Sequence, residues 1–265
     1  MKLRIITGRA GAGKSKLVLE TIAAQRFEHQ QILLVPEHAT HEAELDLCRA
    51  LGDTASRDGE VLSFQSLVTR VLSQTGGISD ITLDNGGKIL IMRRALQEVS
   101  SYLTVFSKPS QRPAFLRELV ALADELYAYK IAPSLLLQQV QDIPGAAGDK
   151  LRSTALLFGA YDARLHGGDF DARSKVQKLC DKLPNSDYLC GKDIYIDGFS
   201  YFNRTEEDII AAALKQANSV TVTLLGDDSD PQLFRNGIQQ RERLRRLAKD
   251  AGCSCKVCLL YTSDA

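Results

Sequence analysis

Apolar residues fall in two rhythms along the first third of the chain. They cluster in short runs within Leu3 to Thr7 (LRIIT), Gln30 to Glu37 (QQILLVPE) and Glu60 to Phe64 (EVLSF). Between these runs they recur at helical spacing: from about Lys14 in KLVLETIAAQRF, in HATHEAELDLCRAL up to Gly52, and in QSLVTRVLSQ before Gly76-Gly77. Short continuous runs predict strands buried on both faces; helical spacing predicts helices with one buried stripe. Their alternation predicts a parallel sheet covered by helices on both sides. Pro36 ends the second strand because it cannot donate to a ladder. Gly52 and Gly76-Gly77 supply helix stops.

From about Asp84 to Leu183 the pattern is helical only, punctuated by Pro109, Pro113, Pro133 and Pro144. Strands return at DIYIDGF (Asp193 to Phe199) and SVTVTLLGD (Ser219 to Asp227). A helix begins between them near Arg204, and another runs from about Asn236 to Ala251. The expected organisation is one α/β domain, residues 1–83 and 186–265, split by an all-helical insertion at 84–185.

Length and composition narrow the class. The 265 residues suit one large domain or two small ones. Lys+Arg and Asp+Glu are both 33, which excludes a strongly basic nucleic-acid-coating protein but not a local basic groove. No stretch approaches the roughly 18 uninterrupted apolar residues of a membrane span, and the start lacks a signal-peptide core. No membrane association and a cytoplasmic location are therefore expected. The six cysteines are expected to be free thiols. Cys253, Cys255 and Cys258 form C-x-C-x-x-C, but with no fourth ligand nearby the apolar run CKVCLLY reads as a buried strand.

Chemistry is concentrated after the first strand. Gly8, Arg9, Ala10, Gly11, Ala12, Gly13, Lys14 and Ser15 match G-x-x-x-x-G-K-[ST] in full, between an apolar strand and a helix. Glycines let backbone amides curl around a phosphate, and the helix N-terminus favours the anion. Lys14 is expected to reach the β- and γ-phosphates of ATP, and the Ser15 hydroxyl to coordinate Mg²⁺. Such a loop needs an acidic residue at the end of a nearby strand, and Asp197 in IYIDGF supplies it. The alternative for Asp197 is an ordinary D-G turn. Gly198 stands where hydrolytic motors carry a water-orienting Glu. Glu206 and Glu207 begin the next helix and could replace it, though acids in a first turn need no functional reason. No residue is assigned as catalytic.

With these motifs placed, the chain resembles a superfamily 1 helicase motor. VLSFQSLVTRVL, Val61 to Leu72, is similar to a strand-to-helix motif that touches single-stranded DNA there. VPEHATHEAE, Val35 to Glu44, occupies the place of another DNA-contacting motif, and LLGDDSDP, Leu224 to Pro231, resembles the strand end that couples nucleotide to DNA. The ordered set GRAGAGKS, LLVPEHAT, EVLSFQSLVTRVL, Gly87 to Arg94 and IYIDGFSYFNRTEEDII resembles, more specifically, the N-terminal part of the AddB/RexB subunit of bacterial ATP-dependent helicase–nucleases. It covers about Leu3 to Val257; the closing residues 259–265 do not continue it.

That resemblance implies a RecA-like P-loop domain, ATP and Mg²⁺ as ligands, and a heterodimer with an AddA-type helicase–nuclease subunit. It implies processing of double-strand DNA ends for recombination repair. The family's C-terminal nuclease domain and iron–sulfur cluster are not expected within these residues, nor is a second RecA-like domain. No adenine-reading glutamine segment is expected before Leu3. Together with Gly198, these departures imply a degenerate motor whose partner does the pulling. DNA contacts are expected from Thr40, Ser63, Gln65 and Ser66, with Phe64 stacking on a base. The bland alternatives are that Phe64 is core, that Thr40 and Ser66 cap helices, and that Arg93, Arg94 and the run Arg241 to Lys249 are solvated faces. His38 and His41 read as polar surface. Two competing functions remain: an independent P-loop kinase or NTPase, and a non-catalytic scaffold that keeps a P-loop.

Overall fold

The computed structural model describes residues 2–25, 28–52, 55–76, 83–106, 112–140, 143–166 and 175–260. Gly77, Pro109 and residues 261–265, named above, lie outside them. The chain forms two compact units, residues 1–78 with 175–265, and residues 79–174.

In the first unit, six apolar runs become β1 (Leu3–Gly8), β2 (Gln31–Leu34), β3 (Gly59–Leu62), β4 (Asp193–Ile196), β5 (Ser219–Leu225) and β6 (Cys255–Leu260). They form one sheet in the order β3-β2-β4-β5-β1-β6, with every pairing parallel. Alternating residues face opposite sides. Leu3, Ile5, Ile32, Leu34, Ile194, Ile196, Val220 and Val222 join one core, with residues of α4 (Phe64–Thr75), α9 (Lys175–Lys182), α10 (Arg204–Gln216) and α11 (Arg235–Asp250). Ile6, Leu33, Val35 and Tyr195 face the other way, against α1 (Lys14–Ala24) and α2 (Thr40–Leu51). A one-turn helix, α3 (Ala55–Asp58), leads into β3. This is the parallel α/β architecture expected from the alternation, with both sheet faces covered, and it is consistent with the RecA-like fold that the resemblance implies.

Two local expectations change. Phe64 opens α4 rather than closing β3. Ser63 has extended backbone, and its hydroxyl accepts from the Ser66 amide, so the strand stops at Leu62. The apolar run at Cys255 is a strand, but it lies at the sheet edge and is only partly buried. Cys255 packs into the first core, while Leu260, on the opposite pleat, packs into the other. All six cysteines are free, and no metal-holding cluster of His, Cys, Asp and Glu occurs among the described residues.

The second unit contains α5 (Asn85–Val99), α6 (Pro113–Ala128), α7 (Pro133–Val140) and α8 (Gly145–His166). Asp84 starts α5 by accepting from the Gly87 amide, and Pro113 occupies the first turn of α6, where its missing N–H costs nothing. Met92, Leu96, Leu119, Val120, Phe158 and Tyr161 form its core. Helix α9, within the insertion anticipated at 84–185, belongs to the first unit, where Leu179 enters the sheet's core. No described helix is long and apolar enough to cross a membrane.

Candidate nucleotide site

Because every strand is parallel, the C-terminal ends of β1, β4 and β5 open on one edge of the sheet, where ligands collect in α/β folds. β1 delivers the loop Gly8–Ser15 there. Gly11 and Gly13 take φ of +75° and +80°, and a Cβ at either would meet nothing within 4 Å. They are glycine for the backbone angle, not for space. Gly8 is glycine for space: a Cβ would lie 2.8 Å from the Leu260 carbonyl oxygen. Gly13 precedes α1 in left-handed conformation, and no side chain caps that helix start. The amides of the first turn are therefore directed into the loop.

Lys14 folds back over this loop. Its ammonium donates to the Gly8 carbonyl at 3.0 Å and to the Arg9 carbonyl at 2.7 Å. Burial lowers its pKa, and the Asp197 carboxylate opposes that shift, placing the two groups within electrostatic reach. Asp197 follows β4 directly, and its amide donates to the Leu34 carbonyl. The Thr223 hydroxyl of β5 donates to its carboxylate. Ser15 is exposed in the first turn of α1. One hydroxyl, one carboxylate and phosphate oxygens suit Mg²⁺, which keeps several waters in its octahedron. The residues present fit a phosphate chain with bound Mg²⁺.

Arg9 has a role that the motif alone does not disclose. Its Nε donates to Asp227 at 2.5 Å and Nη2 to the Ser229 hydroxyl at 3.3 Å, while the guanidinium lies 5.9 Å from the Phe234 ring centroid. Asp227 also accepts from the Ser229 amide, and that bond, with Arg9, holds its carboxyl down to about 2. The Gly8–Ser15 loop is thereby tied to the loop after β5. The only sequence signal was an Asp following a strand, in LLGDD.

Around this edge, Glu206 is occupied by helix capping: it accepts from the Asn203 amide while Asn203 accepts from its own. Glu207 is buried and ion-paired to Arg204 and Arg243. Both carboxylates are thus engaged within the fold. Gly198, after Asp197, has φ +81°.

The five expected DNA-contact residues divide. Ser63 is buried and serves as the α4 cap, bonded to Ser66. Thr40 donates to the Glu37 carbonyl, and Gln65 is exposed in the first turn of α4. Phe64 is 6% exposed, its ring against Phe199 and Phe202 at 5.2 and 6.5 Å. It has no face to offer a base. His38, His41, Arg93 and Arg94 are exposed.

The family model described as "ADDB, N-terminal" matches residues 5–264, so the closing residues, expected to depart from the pattern, fall almost wholly within the match. A relative from Desulforamulus reducens, the B subunit of an ATP-dependent helicase/deoxyribonuclease, is 37% identical across 86% of this chain and 20% of its own length. The proteins of the same name from Clostridioides difficile and Moorella thermoacetica are each 32% identical, over 86% and 99% of this chain. The chain spans about a fifth to a quarter of the length of these relatives.

Proposed function

The chain belongs to the AddB N-terminal family, and from that premise we propose that it is the nucleotide-binding, DNA-engaging N-terminal part of the AddB-type subunit of an ATP-dependent helicase–nuclease. Its task would lie in processing double-strand DNA ends for recombination repair, paired with an AddA-type helicase–nuclease subunit. The observation that carries the reading is Lys14, whose ammonium lies over a loop of left-handed glycines and an uncapped helix start.

In this reading the loop amides bind the β-phosphate, and Lys14 exchanges the carbonyls of Gly8 and Arg9 for phosphate oxygens. Ser15 and Asp197 would hold Mg²⁺, which neutralises phosphate charge when bound. Thr223 keeps the Asp197 carboxylate oriented. Gly198 has no side chain, and Glu206 and Glu207 are engaged, so no base is placed for water among the described residues at this strand end, and the chain binds nucleotide better than it hydrolyses it. The test is titration with a fluorescent ATP analogue in Mg²⁺. A charge-assisted phosphate contact is worth about 1.5–3 kcal/mol, so Lys14→Ala should weaken binding roughly tenfold to a hundredfold. Unchanged affinity in a folded Lys14→Ala chain refutes the assignment.

A further inference from the structure

β3 leaves one edge of the sheet unpaired. In a parallel ladder the bonds are evenly spaced, and alternate residues turn their backbone groups to opposite sides. The Leu62 carbonyl accepts from the Val35 amide, so Glu60 and Leu62 bond β2 while Val61 turns its amide and carbonyl outward. Among the described residues nothing bonds either group. β3 is the last strand on this side, and its edge floors a cleft of about 1010 Å³ between α2 and α4. Leu47 and Cys48 of α2 stand on one wall, Arg70 and Ser73 of α4 on the other. No residue of the Gly8–Ser15 loop lines it, nor does Asp197.

The two walls ask for different side chains. Ile32 faces the first core and pairs with Glu60, so Glu60 stands on the α4 side. There it accepts from the Tyr188 hydroxyl at 2.7 Å and pairs with Arg70 Nε at 2.6 Å. Lys192 lies over the Tyr188 ring, 3.9 Å from its centroid, and no described carboxylate is within ion-pair distance of its ammonium. Two cations thus share one carboxylate, and the surplus charge on this wall is positive. On the α2 side a Cβ at Gly59 would lie 3.1 Å from Leu47 Cδ2, so that wall is apolar at close range. Its charges are Glu44 and the pair Arg57–Asp58, joined at 2.8 Å, with no cation left over. An extended chain laid on β3 presents alternate side chains to opposite walls. Acidic residues would meet Arg70 and Lys192, and apolar ones Leu47, while the backbone bonds Val61. A second copy of this edge cannot reach in, because each edge lies between its own two helices.

We propose that the β3 edge is a docking site for an extended segment of a partner protein, alternating acidic and apolar residues, which adds to the sheet as an outer strand. The probe is a labelled short peptide alternating glutamate and valine, followed by fluorescence anisotropy on the 265-residue chain. It should bind. A peptide of the same composition, with its glutamates and valines in separate blocks, should bind about tenfold more weakly or worse. Alternate amides of an added strand face β3, so N-methylating all valines or all glutamates should give one isomer that binds as the parent does and one that does not bind. Lys192→Gln should weaken the parent peptide about tenfold, the loss of a charge-assisted contact, and Lys192→Arg should restore it, an outcome that misfolding would not give. No binding of the parent peptide at millimolar concentration, equal binding of the block peptide, two methylated isomers that behave alike, or a Lys192→Gln chain as tight as wild type would overturn the proposal. So would a dimer of the chain that the peptide dissociates, which would give the edge to a second copy.

Discussion

Arg9 is fixed by three groups on the loop beyond β5, and the buried end of that contact is Asp227, 9% exposed. Its carboxyl lies at about 2 against an ordinary 3.8, so the folded state prefers it ionised. A depressed carboxyl contributes stability that is present above the ordinary value and lost as pH falls through the folded one. Asp227→Asn should therefore lower the denaturant midpoint at pH 7, and the gap to wild type should shrink between about pH 4 and pH 2; unfolding curves at several pH values read this directly. Gly198 makes a second residue-scale case. At φ +81° a glutamate would incur the left-handed penalty of roughly 1–2 kcal/mol. Gly198→Glu should lose stability of that order in chemical denaturation and gain no phosphate release. The turn from β1 into α1 through Gly8–Ser15 was legible because its eight residues are contiguous. Thr223 on Asp197 and Arg9 on Asp227 were not, since these pairs stand 26 and 218 residues apart and meet only through strand order.

Elements were legible where spacing alone decides them and less so where one polar atom does. The strands and their alternation with helices followed from apolar runs. The β3–α4 boundary did not, because the Ser63 hydroxyl, not the run EVLSF, ends the strand and sends Phe64 into the core. The edge position of β6 was likewise hidden: an apolar edge strand and an apolar central strand look alike in one sequence. Element packing also makes demands that no period reveals. At Gly237, in the first turn of α11, a Cβ would lie 1.6 Å from the Leu225 carbonyl oxygen at the end of β5. Backbone cannot yield as a side chain does, so Gly237→Ala should cost at least the 1–3 kcal/mol or so of overpacking, read as a fall in Tm. Two tyrosines of the helical unit form a matched contrast. Tyr161 is fully buried and its hydroxyl has no partner among the described residues, whereas the Tyr127 hydroxyl donates to Asp162 at 2.6 Å. Tyr161→Phe should leave Tm unchanged or raise it, and Tyr127→Phe should lower stability by about 0.5–2 kcal/mol.

At the scale of the molecule, a nucleotide site and a motor are different things. The described residues hold one six-stranded sheet with one glycine-rich turn, Gly8–Ser15, proposed above to bind phosphate. Hydrolysis at such a loop needs a group to orient water and a cation facing the γ-phosphate. Among the described residues the candidates beyond Lys14 are engaged or lack a side chain: Gly198 has none, Glu206 caps α10, Glu207 is paired to Arg204 and Arg243, and Arg9 is held on Asp227. An arginine finger alone is worth about 10³–10⁵ in rate, so an intact phosphate loop cannot offset its absence. Translocation further requires two domains that close on a strand in turn. The 265 residues by themselves should thus bind Mg²⁺–ATP and release phosphate at well under about 1 s⁻¹, the lower end of ordinary turnover. Single-stranded DNA should not raise that rate. Phosphate release is to be followed with and without the strand, with Lys14→Ala as the blank. DNA-stimulated, Lys14-dependent turnover above that rate would mean that one of the engaged groups, Arg9 or Glu207 first, leaves its partner to do chemistry.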